Sequence, residues 1–150
     1  MNDGIYMLMY GEKMTNFKMT FNRVYHFSAA HRLHNPLISD KDNKNTYDKC
    51  NNYHGHGHDY KLEVSVMGVP DPRKGMIMPL ERFDITVKSI LNRLNFRHLD
   101  LEIKYFQNNI STGEIIIQLL WEELDKIFPK DMLFGLKLWE TNNNYFELMK

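Results

Sequence analysis

Residues 50–69 read CNNYHGHGHDYKLEVSVMGV, and their second half carries the clearest strand pattern in the chain. From position 61 to position 66, polar and apolar side chains alternate without interruption. Such alternation is typical of a strand with one buried face and one solvated face. We therefore expect a strand from His58 to Val69, with a histidine-rich segment directly before it.

Three histidines alternate with glycines at the entrance to this strand. His54, His56 and His58 could project their imidazoles toward one point, because residues two apart on an extended backbone share a face. The small glycines between them let the backbone approach a bound group closely. A lone histidine here would be typical of a solvated loop. The alternation, with His31 and His34 available upstream as further ligands, instead predicts a metal site.

Cys50 is the only cysteine in the chain. An intramolecular disulfide and a cysteine-rich structural zinc cluster are therefore excluded. A free thiol beside a metal ion and imidazoles is a candidate nucleophile or base, because such surroundings favour the thiolate. The alternative is a free cysteine that simply packs as a small apolar residue.

The composition limits the possible partners. A chain of 150 residues is most simply one domain with its own core. Nineteen basic and nineteen acidic residues give no overall field that would attract nucleic acid or an anionic membrane. The sequence contains no apolar run of membrane-spanning length and no secretory signal, so we expect a cytoplasmic protein.

Three more strands are indicated by alternating apolar residues. The first spans residues 18–30 and ends at His31. After it, residues 34–52 form a long polar stretch without a sustained period, which we expect to be a functional loop. Near the C-terminus, residues 133–141 and 145–150 are joined by an asparagine turn and predict a hairpin.

Two helices are predicted between the strand pairs. The first spans residues 79–94, with Pro79 as its first helical residue and apolar residues at helical spacing. The second spans residues 111–128, where Ser111 and Glu114 match a capping box.

This order of elements predicts an α+β domain over residues 18–150, preceded by an arm of residues 1–17. The economical architecture is an antiparallel four-stranded sheet with both helices on one face. The other sheet face would stay uncovered, so we expect oligomerisation.

Seven blocks of the sequence together resemble the 6-pyruvoyl-tetrahydropterin synthase family and its bacterial relative, 6-carboxy-tetrahydropterin synthase. The resemblance covers roughly residues 19–148. The blocks, in order, are FSAAHRLHNP, KCNN, HGHDYKLEV, PDPRKGMIMPL, LDLEIKYF, STGE and LWETNNN.

The resemblance implies a fold, an assembly and a metal site. The fold is the tunnelling fold (T-fold), whose subunits assemble into barrels, commonly as a homohexamer built from two trimers. The metal is zinc, held by His31, His56 and His58, which leaves His54 as a non-ligand.

The resemblance also implies a substrate and its contacts. Cys50 falls at the catalytic cysteine, and Glu140 at the glutamate that anchors the pterin ring. Thr112 and Glu114 fall where the substrate pocket is lined. The usual substrate is 7,8-dihydroneopterin triphosphate. A carboxylate suits the anchoring role, because it can accept hydrogen bonds from a pterin amino group and ring N–H together.

One block departs from the family pattern. The family has Asp-His where this chain has Asn95 and Phe96, and that pair assists proton transfer with the cysteine. Phe96 cannot carry a proton, and loss of a general acid or base typically costs about 10²–10⁴-fold in rate. His98, two residues further on, is a candidate substitute, and a surface loop histidine is the alternative.

Three functions remain open from the sequence. The first is a working synthase of the pyruvoyl or carboxy type. The second is a changed reaction, such as cleavage of the dihydroneopterin side chain. The third is a zinc- and pterin-binding protein without turnover. Retention of Cys50, the zinc histidines and Glu140 favours chemistry.

Overall fold

The computed structural model describes residues 17–150, in which five strands and four α-helices occur. The predicted arm falls almost wholly outside the described residues. Two short 3₁₀ helices, Asp48–Asn51 and Lys104–Gln107, complete the described secondary structure. In chain order the strands and helices are β1 (Met19–His31), α1 (Asp40–Tyr47), β2 (His56–Gly68), α2 (Leu80–Leu94), β3 (Arg97–His98), α3 (Leu99–Glu102), α4 (Gly113–Ile127), β4 (Leu133–Trp139) and β5 (Tyr145–Met149).

The strands form a single sheet in the order β3-β1-β2-β4-β5. The long pair β1 and β2 is antiparallel, and its register runs from Met19 opposite Gly68 to His31 opposite His56. β4 pairs antiparallel with β2 and with β5. This register ends the long strand pair with a histidine on each strand.

Helices α2 and α4 cover one face of the sheet, as predicted. Alternate residues of β1 and β2 are buried on that face, including Phe27, Tyr60 and Leu62. The ring of Phe83 on α2 stacks on the ring of Tyr25 on β1 across this interface. Full burial of such side chains contributes roughly 1.5–3 kcal/mol each. The α+β class is therefore confirmed, and the opposite sheet face stays exposed at positions such as Val24, which is 47% exposed.

The prediction of a four-stranded antiparallel sheet is wrong in one respect, because β3 adds a fifth strand. β3 pairs in parallel with β1, placing Ala29 opposite Arg97. Two bonds fasten this segment: the Phe96 N–H donates to the Ser28 carbonyl, and the Ser28 N–H donates to Asn95 Oδ1. A two-residue strand has no period that the sequence could display.

The predicted loop at residues 34–52 contains helix α1 and a 3₁₀ helix. Ser39 caps α1 by accepting from the Asp42 N–H. Asn43 is fully buried, where its side-chain amide donates to the Asn35 carbonyl and its oxygen accepts from the Asn35 N–H. Polar bonds rather than an apolar face hold this helix, so periodicity could not reveal it.

The helix starts also differ in detail from the predictions. Pro79 is the N-cap of α2, and the helix begins at Leu80. Thr112 is the N-cap of α4 and makes no side-chain cap bond. The expected capping box is therefore wrong, because the Ser111 hydroxyl donates to Asp100 instead.

Among the described helices, none is both long and apolar enough to cross a membrane.

Gly113, the first residue of α4, packs directly beneath the ring of Phe146 on β5. A Cβ added at Gly113 would overlap that ring, so Gly113→Ala is expected to lower the free energy of unfolding by about 1–3 kcal/mol through overpacking. Denaturant titration measures this change. Gly135→Ala in β4 is the matched control, because its Cβ would find its nearest atom at 3.5 Å. Equal losses from both variants would contradict the steric explanation.

Candidate metal and thiol site

Three histidines converge where β1 ends and β2 begins. His31 is the last residue of β1, and His56 and His58 lie on the same face at the start of β2. One ring nitrogen from each lies within 4.8 Å of the others. His31 Nε2 lies 3.2 Å from His56 Nε2. These three residues are the ligand set that the family resemblance implies.

His54 is not part of this cluster. β2 begins at His56, and the backbone at Gly55 has a φ of +72°, so the chain turns before it enters the strand. The His54 side chain is exposed and packs edge-on against Tyr53. Within the histidine–glycine repeat, the backbone is therefore extended only from His56 onward.

His31 is held in one tautomer and one orientation. The ring is 1% exposed, and Nδ1 lies 2.7 Å from the Ser111 carbonyl oxygen. A carbonyl only accepts, so Nδ1 carries the proton and Nε2 keeps its lone pair. Burial lowers the pKa of His31 and of His56. Both rings therefore stay neutral, the form that binds metal, at neutral pH.

The cluster fits a metal ion with nitrogen ligands. His56 Nδ1 and His58 Nε2 are buried and have no hydrogen-bond partner among the described residues. Zinc–nitrogen bonds of about 2.0–2.1 Å in a tetrahedral site place ligand nitrogens roughly 3.3–3.4 Å apart. The observed clustering approaches that spacing, and an ion bound there would satisfy His58 Nε2, which is otherwise unpaired.

Glu140 brings a carboxylate to the same point. It follows β4, and Oε1 lies 3.8 Å from His31 Nε2 and 4.0 Å from His58 Nε2. The other oxygen accepts a hydrogen bond from the Asn144 amide at 2.9 Å. The Glu140 side chain is 16% exposed, so it is largely screened from bulk water.

Cys50 lies in the 3₁₀ helix after α1 and is half-buried. Its carbonyl accepts from the Leu33 N–H at 2.9 Å, which ties it to the segment following His31. Burial raises the pKa of the Cys50 thiol, and the negative charges of Glu140 and Asp48 raise it further. In the protein without a cation the thiol is therefore protonated at neutral pH.

The remaining predicted site residues are more dispersed. Thr112 is half-buried at the start of α4, and Glu114 is exposed in its first turn. His98 packs between Gly55 and Asp100. Its Nε2 is so close to Gly55 that a Cβ added there would lie only 2.8 Å away, and its Nδ1 is 3.7 Å from Asp100 Oδ2.

The two residues that replace the family's Asp-His pair have other surroundings. Asn95 is occupied in binding the Ser28 N–H of β1. Phe96 is 82% exposed and has a φ of +57°, an uncommon conformation for a bulky residue. Within the described chain, neither side chain supplies a proton-carrying group to Cys50.

Sequence reasoning missed two residues beside the histidines. Ser111 is fully buried and presents its carbonyl to His31, and the Asp100 carboxylate binds the Ser111 hydroxyl. The contact of Ser111 with His31 joins residues far apart in the chain, and the bond between Asp100 and Ser111 follows no helix or strand period, so no local pattern marks either residue.

The fold and the site together define an α+β protein whose sheet carries a three-histidine site suited to a metal ion. The chain belongs to the 6-pyruvoyl tetrahydropterin synthase family, whose family model matches residues 20–150. The fold and the family predicted from the sequence are thereby confirmed.

Similar proteins include several enzymes named for this activity. Human 6-pyruvoyl tetrahydrobiopterin synthase is 40% identical over 119 residues, which cover 79% of this chain and 82% of the human protein. The Drosophila melanogaster enzyme of the same name is 38% identical over 120 residues, covering 79% of this chain and 71% of its own length. The solved structure of Caenorhabditis elegans 6-pyruvoyl tetrahydropterin synthase has a TM-score of 0.85 at 35% identity, covering 89% of this chain and 96% of that one.

The clustered histidines predict one divalent ion per chain. His58→Ala removes a ligand and is expected to weaken Co²⁺ binding by more than the about 10–100-fold that loss of an outer-shell partner costs. Titration of the metal-free protein with Co²⁺ measures the affinity. His54→Ala is the matched control, because His54 lies outside the cluster, and it is expected to bind as the wild type does. Equal losses in both variants would contradict the assigned ligand set.

The raised pKa of Cys50 predicts slow alkylation by iodoacetamide at pH 8 in the metal-free protein. Glu140→Gln removes a negative charge that disfavours the thiolate, so it lowers the pKa and increases the alkylation rate. The increase is expected to reach at most about tenfold, the change in thiolate fraction that one pKa unit produces. Glu147→Gln, on the exposed side of β5, is the control. An unchanged rate in Glu140→Gln would show that this carboxylate does not influence the thiol.

Proposed function

We propose that this protein is a zinc-dependent lyase of the 6-pyruvoyl-tetrahydropterin synthase type that converts 7,8-dihydroneopterin triphosphate with loss of triphosphate. The observation that carries the proposal is the meeting of three imidazoles and the Glu140 carboxylate at one point, within a chain of this family. Relatives at 38–40% identity that bear the name of this activity support it.

Zinc is the metal that we propose for the triad. Imidazoles suit several divalent metals, and three protein ligands with an open position are typical of catalytic zinc. When bound by His31, His56 and His58, zinc would polarise the side-chain hydroxyls of the substrate and acidify the adjacent C–H. The unpaired buried Nε2 of His58 supports this assignment.

Cys50 is the proposed base. Its thiolate would remove the acidified proton, triphosphate would leave, and the side chain would tautomerise to the diketo product. The pKa of the Cys50 thiol is raised by burial and by Glu140, so a nearby positive charge is needed to produce the thiolate at neutral pH.

Substrate binding is proposed for Glu140, Thr112 and Glu114. One carboxylate can accept from the amino group and ring N–H of a pterin at the same time, which is the role proposed for Glu140. The position of Glu140 beside the triad supports a pterin bound with its side chain toward the metal. Thr112 and Glu114 at the start of α4 would line the pocket.

His98 is the proposed substitute for the missing histidine of the family pattern. Phe96 is exposed and cannot carry a proton, whereas His98 Nδ1 is buried and has no hydrogen-bond partner among the described residues. His98 also lines a cavity of about 770 Å³ together with Arg32, His54 and Asp100, so a bound substrate could reach it.

The proposed assembly is a homo-oligomer, with the family's hexamer of two trimers as its form. The sheet face opposite the helices exposes apolar residues such as Val24 and Tyr145, and β5 ends the described sheet as an edge strand. An unpaired edge and an uncovered face are both surfaces that assembly would protect.

The zinc-loaded protein is expected to release triphosphate from 7,8-dihydroneopterin triphosphate and to yield a 6-pyruvoyl pterin, identified by mass. Cys50→Ala is expected to lower the rate by about 10²–10⁴-fold, the usual cost of losing a general base. In the same assay His98→Gln is expected to lower kcat, and Lys126→Gln, which changes an exposed side chain on α4, is the control that keeps it.

Other outcomes would redirect or reject the proposal. A carboxy pterin as product would indicate the bacterial branch of the family, and side-chain cleavage without triphosphate release would indicate a changed reaction. Tight binding without any product would reject catalysis and leave a zinc- and pterin-binding protein. Normal turnover by Cys50→Ala would reject the thiolate mechanism.

A further inference from the structure

The Asp100 carboxylate in helix α3 binds two residues that adjoin His31, one next to it in the chain and one against its ring. Oδ2 accepts a hydrogen bond from the Arg32 N–H at 2.6 Å, and Arg32 is the residue directly after His31. Oδ1 accepts from the Ser111 hydroxyl at 2.5 Å, and the carbonyl of the same serine lies 2.7 Å from His31 Nδ1. One side chain thus fixes both the backbone next to His31 and the group that orients its ring.

This double contact comes where the sheet no longer constrains the chain. The β1–β2 ladder ends with the pair His31 and His56, so the Arg32 N–H has no strand partner. A screened backbone N–H needs an acceptor, and Asp100 provides one with a full negative charge. Without it, the Arg32 N–H would lack an acceptor, and the first backbone bond after the ladder would be the one from the Leu33 N–H to the Cys50 carbonyl.

The second contact controls the ring rather than the backbone. Ser111 is fully buried just before helix α4, and its carbonyl is the acceptor that sets the tautomer of His31. The direction of that carbonyl depends on the peptide unit that Ser111 belongs to. The bond from the Ser111 hydroxyl to Asp100 anchors this residue against α3, so the carbonyl stays aimed at Nδ1.

We propose that Asp100 is a positioning residue for the metal site, which acts by holding His31 Nε2 toward the point shared with His56 and His58. The inference rests on the proposed metal site and not on the identity of the substrate. Its expected size follows from other metal sites, where loss of an outer-shell partner typically weakens binding about 10–100-fold.

The same carboxylate also faces the proposed proton carrier. His98 Nδ1 is buried without a hydrogen-bond partner among residues 17–150 and lies 3.7 Å from Asp100 Oδ2. Asp100 therefore stands between His31 and His98. Activity alone could not separate its effect on the metal ligand from an effect on His98, so the test has to read metal binding directly.

The test is metal binding by the full-length, metal-free protein. Co²⁺ titration followed by its d–d absorption, and competition for Zn²⁺ with a chelator of known affinity, give the affinity and the coordination geometry. Asp100→Ala is expected to weaken Zn²⁺ binding about 10–100-fold and to alter the Co²⁺ spectrum. Ser111→Ala, which loses only the hydroxyl, is expected to show a smaller loss in the same direction.

Two further variants separate positioning from a general effect on folding. Asp100→Asn keeps an oxygen for the Arg32 N–H and can donate to the Ser111 hydroxyl, so it is expected to restore most of the affinity. Glu102→Ala is the matched control: Glu102 lies on the same short helix, but its carboxylate binds the His98 N–H and Arg97 and not the residues beside His31. It is expected to keep wild-type affinity even if its melting temperature falls.

The outcomes distinguish a failure of this inference from a failure of the proposed metal site. Absence of metal binding by the wild-type protein would overturn the proposed metal site and this inference with it. Metal binding by the wild type with unchanged affinity in Asp100→Ala would overturn the inference alone. If Asp100→Ala does not fold, Ser111→Ala and Asp100→Asn decide: wild-type affinity and spectrum in both would overturn the inference, and a graded loss would support it.

Discussion

The antiparallel register between β1 and β2 is the constraint on which the rest of the site depends. It places His31 opposite His56 at the end of the ladder and buries Phe27 and Tyr60 on the same face, where their rings stack 4.9 Å apart. Because side chains alternate between faces, a slip of one residue would move His31 to the other side of the sheet. The same slip would expose the aromatic core, so core packing holds the histidines in place.

The site has an electrostatic imbalance that a cation would correct. Burial lowers the pKa of His31 and His56, so these two rings are neutral, while burial and the charge of Glu140 raise the pKa of Cys50 and keep the thiol protonated. The Glu140 carboxylate places a negative charge beside the triad. A divalent ion on the three nitrogens would offset that charge and favour the thiolate, so metal binding and thiol activation are expected to be linked.

Several parts of this structure could be predicted from the sequence, since they depend on local alternation. The long strands, both core helices and the C-terminal hairpin are visible as apolar periods of two or about 3.6 residues. Helix α1 was missed because its buried residue is Asn43, which satisfies itself with backbone bonds rather than apolar contacts. Strand β3 was missed because it is only two residues long, too short to show an alternating pattern. The bonds that hold it in place come from Asn95 and Phe96, directly before it.

The candidate site was less accessible to sequence reasoning. Residue types alone could not choose among five nearby histidines, and the choice of His31, His56 and His58 came from the family resemblance. The structure gives the physical reason for excluding His54, which is the turn at Gly55. The contacts of Asp100 with Arg32 and of Ser111 with His31 join segments distant in the chain, and only the folded arrangement reveals them.

The two glycines between the histidines have unequal importance, although the sequence presents them as a symmetric repeat. A side chain at Gly55 would sit 2.7 Å from the His31 carbonyl oxygen and 2.8 Å from His98 Nε2, at a φ that favours glycine. At Gly57 the nearest atom would be 3.5 Å away, an ordinary contact. A side chain is therefore tolerated at Gly57 but not at Gly55, where an added methyl group would push β1 away from His98.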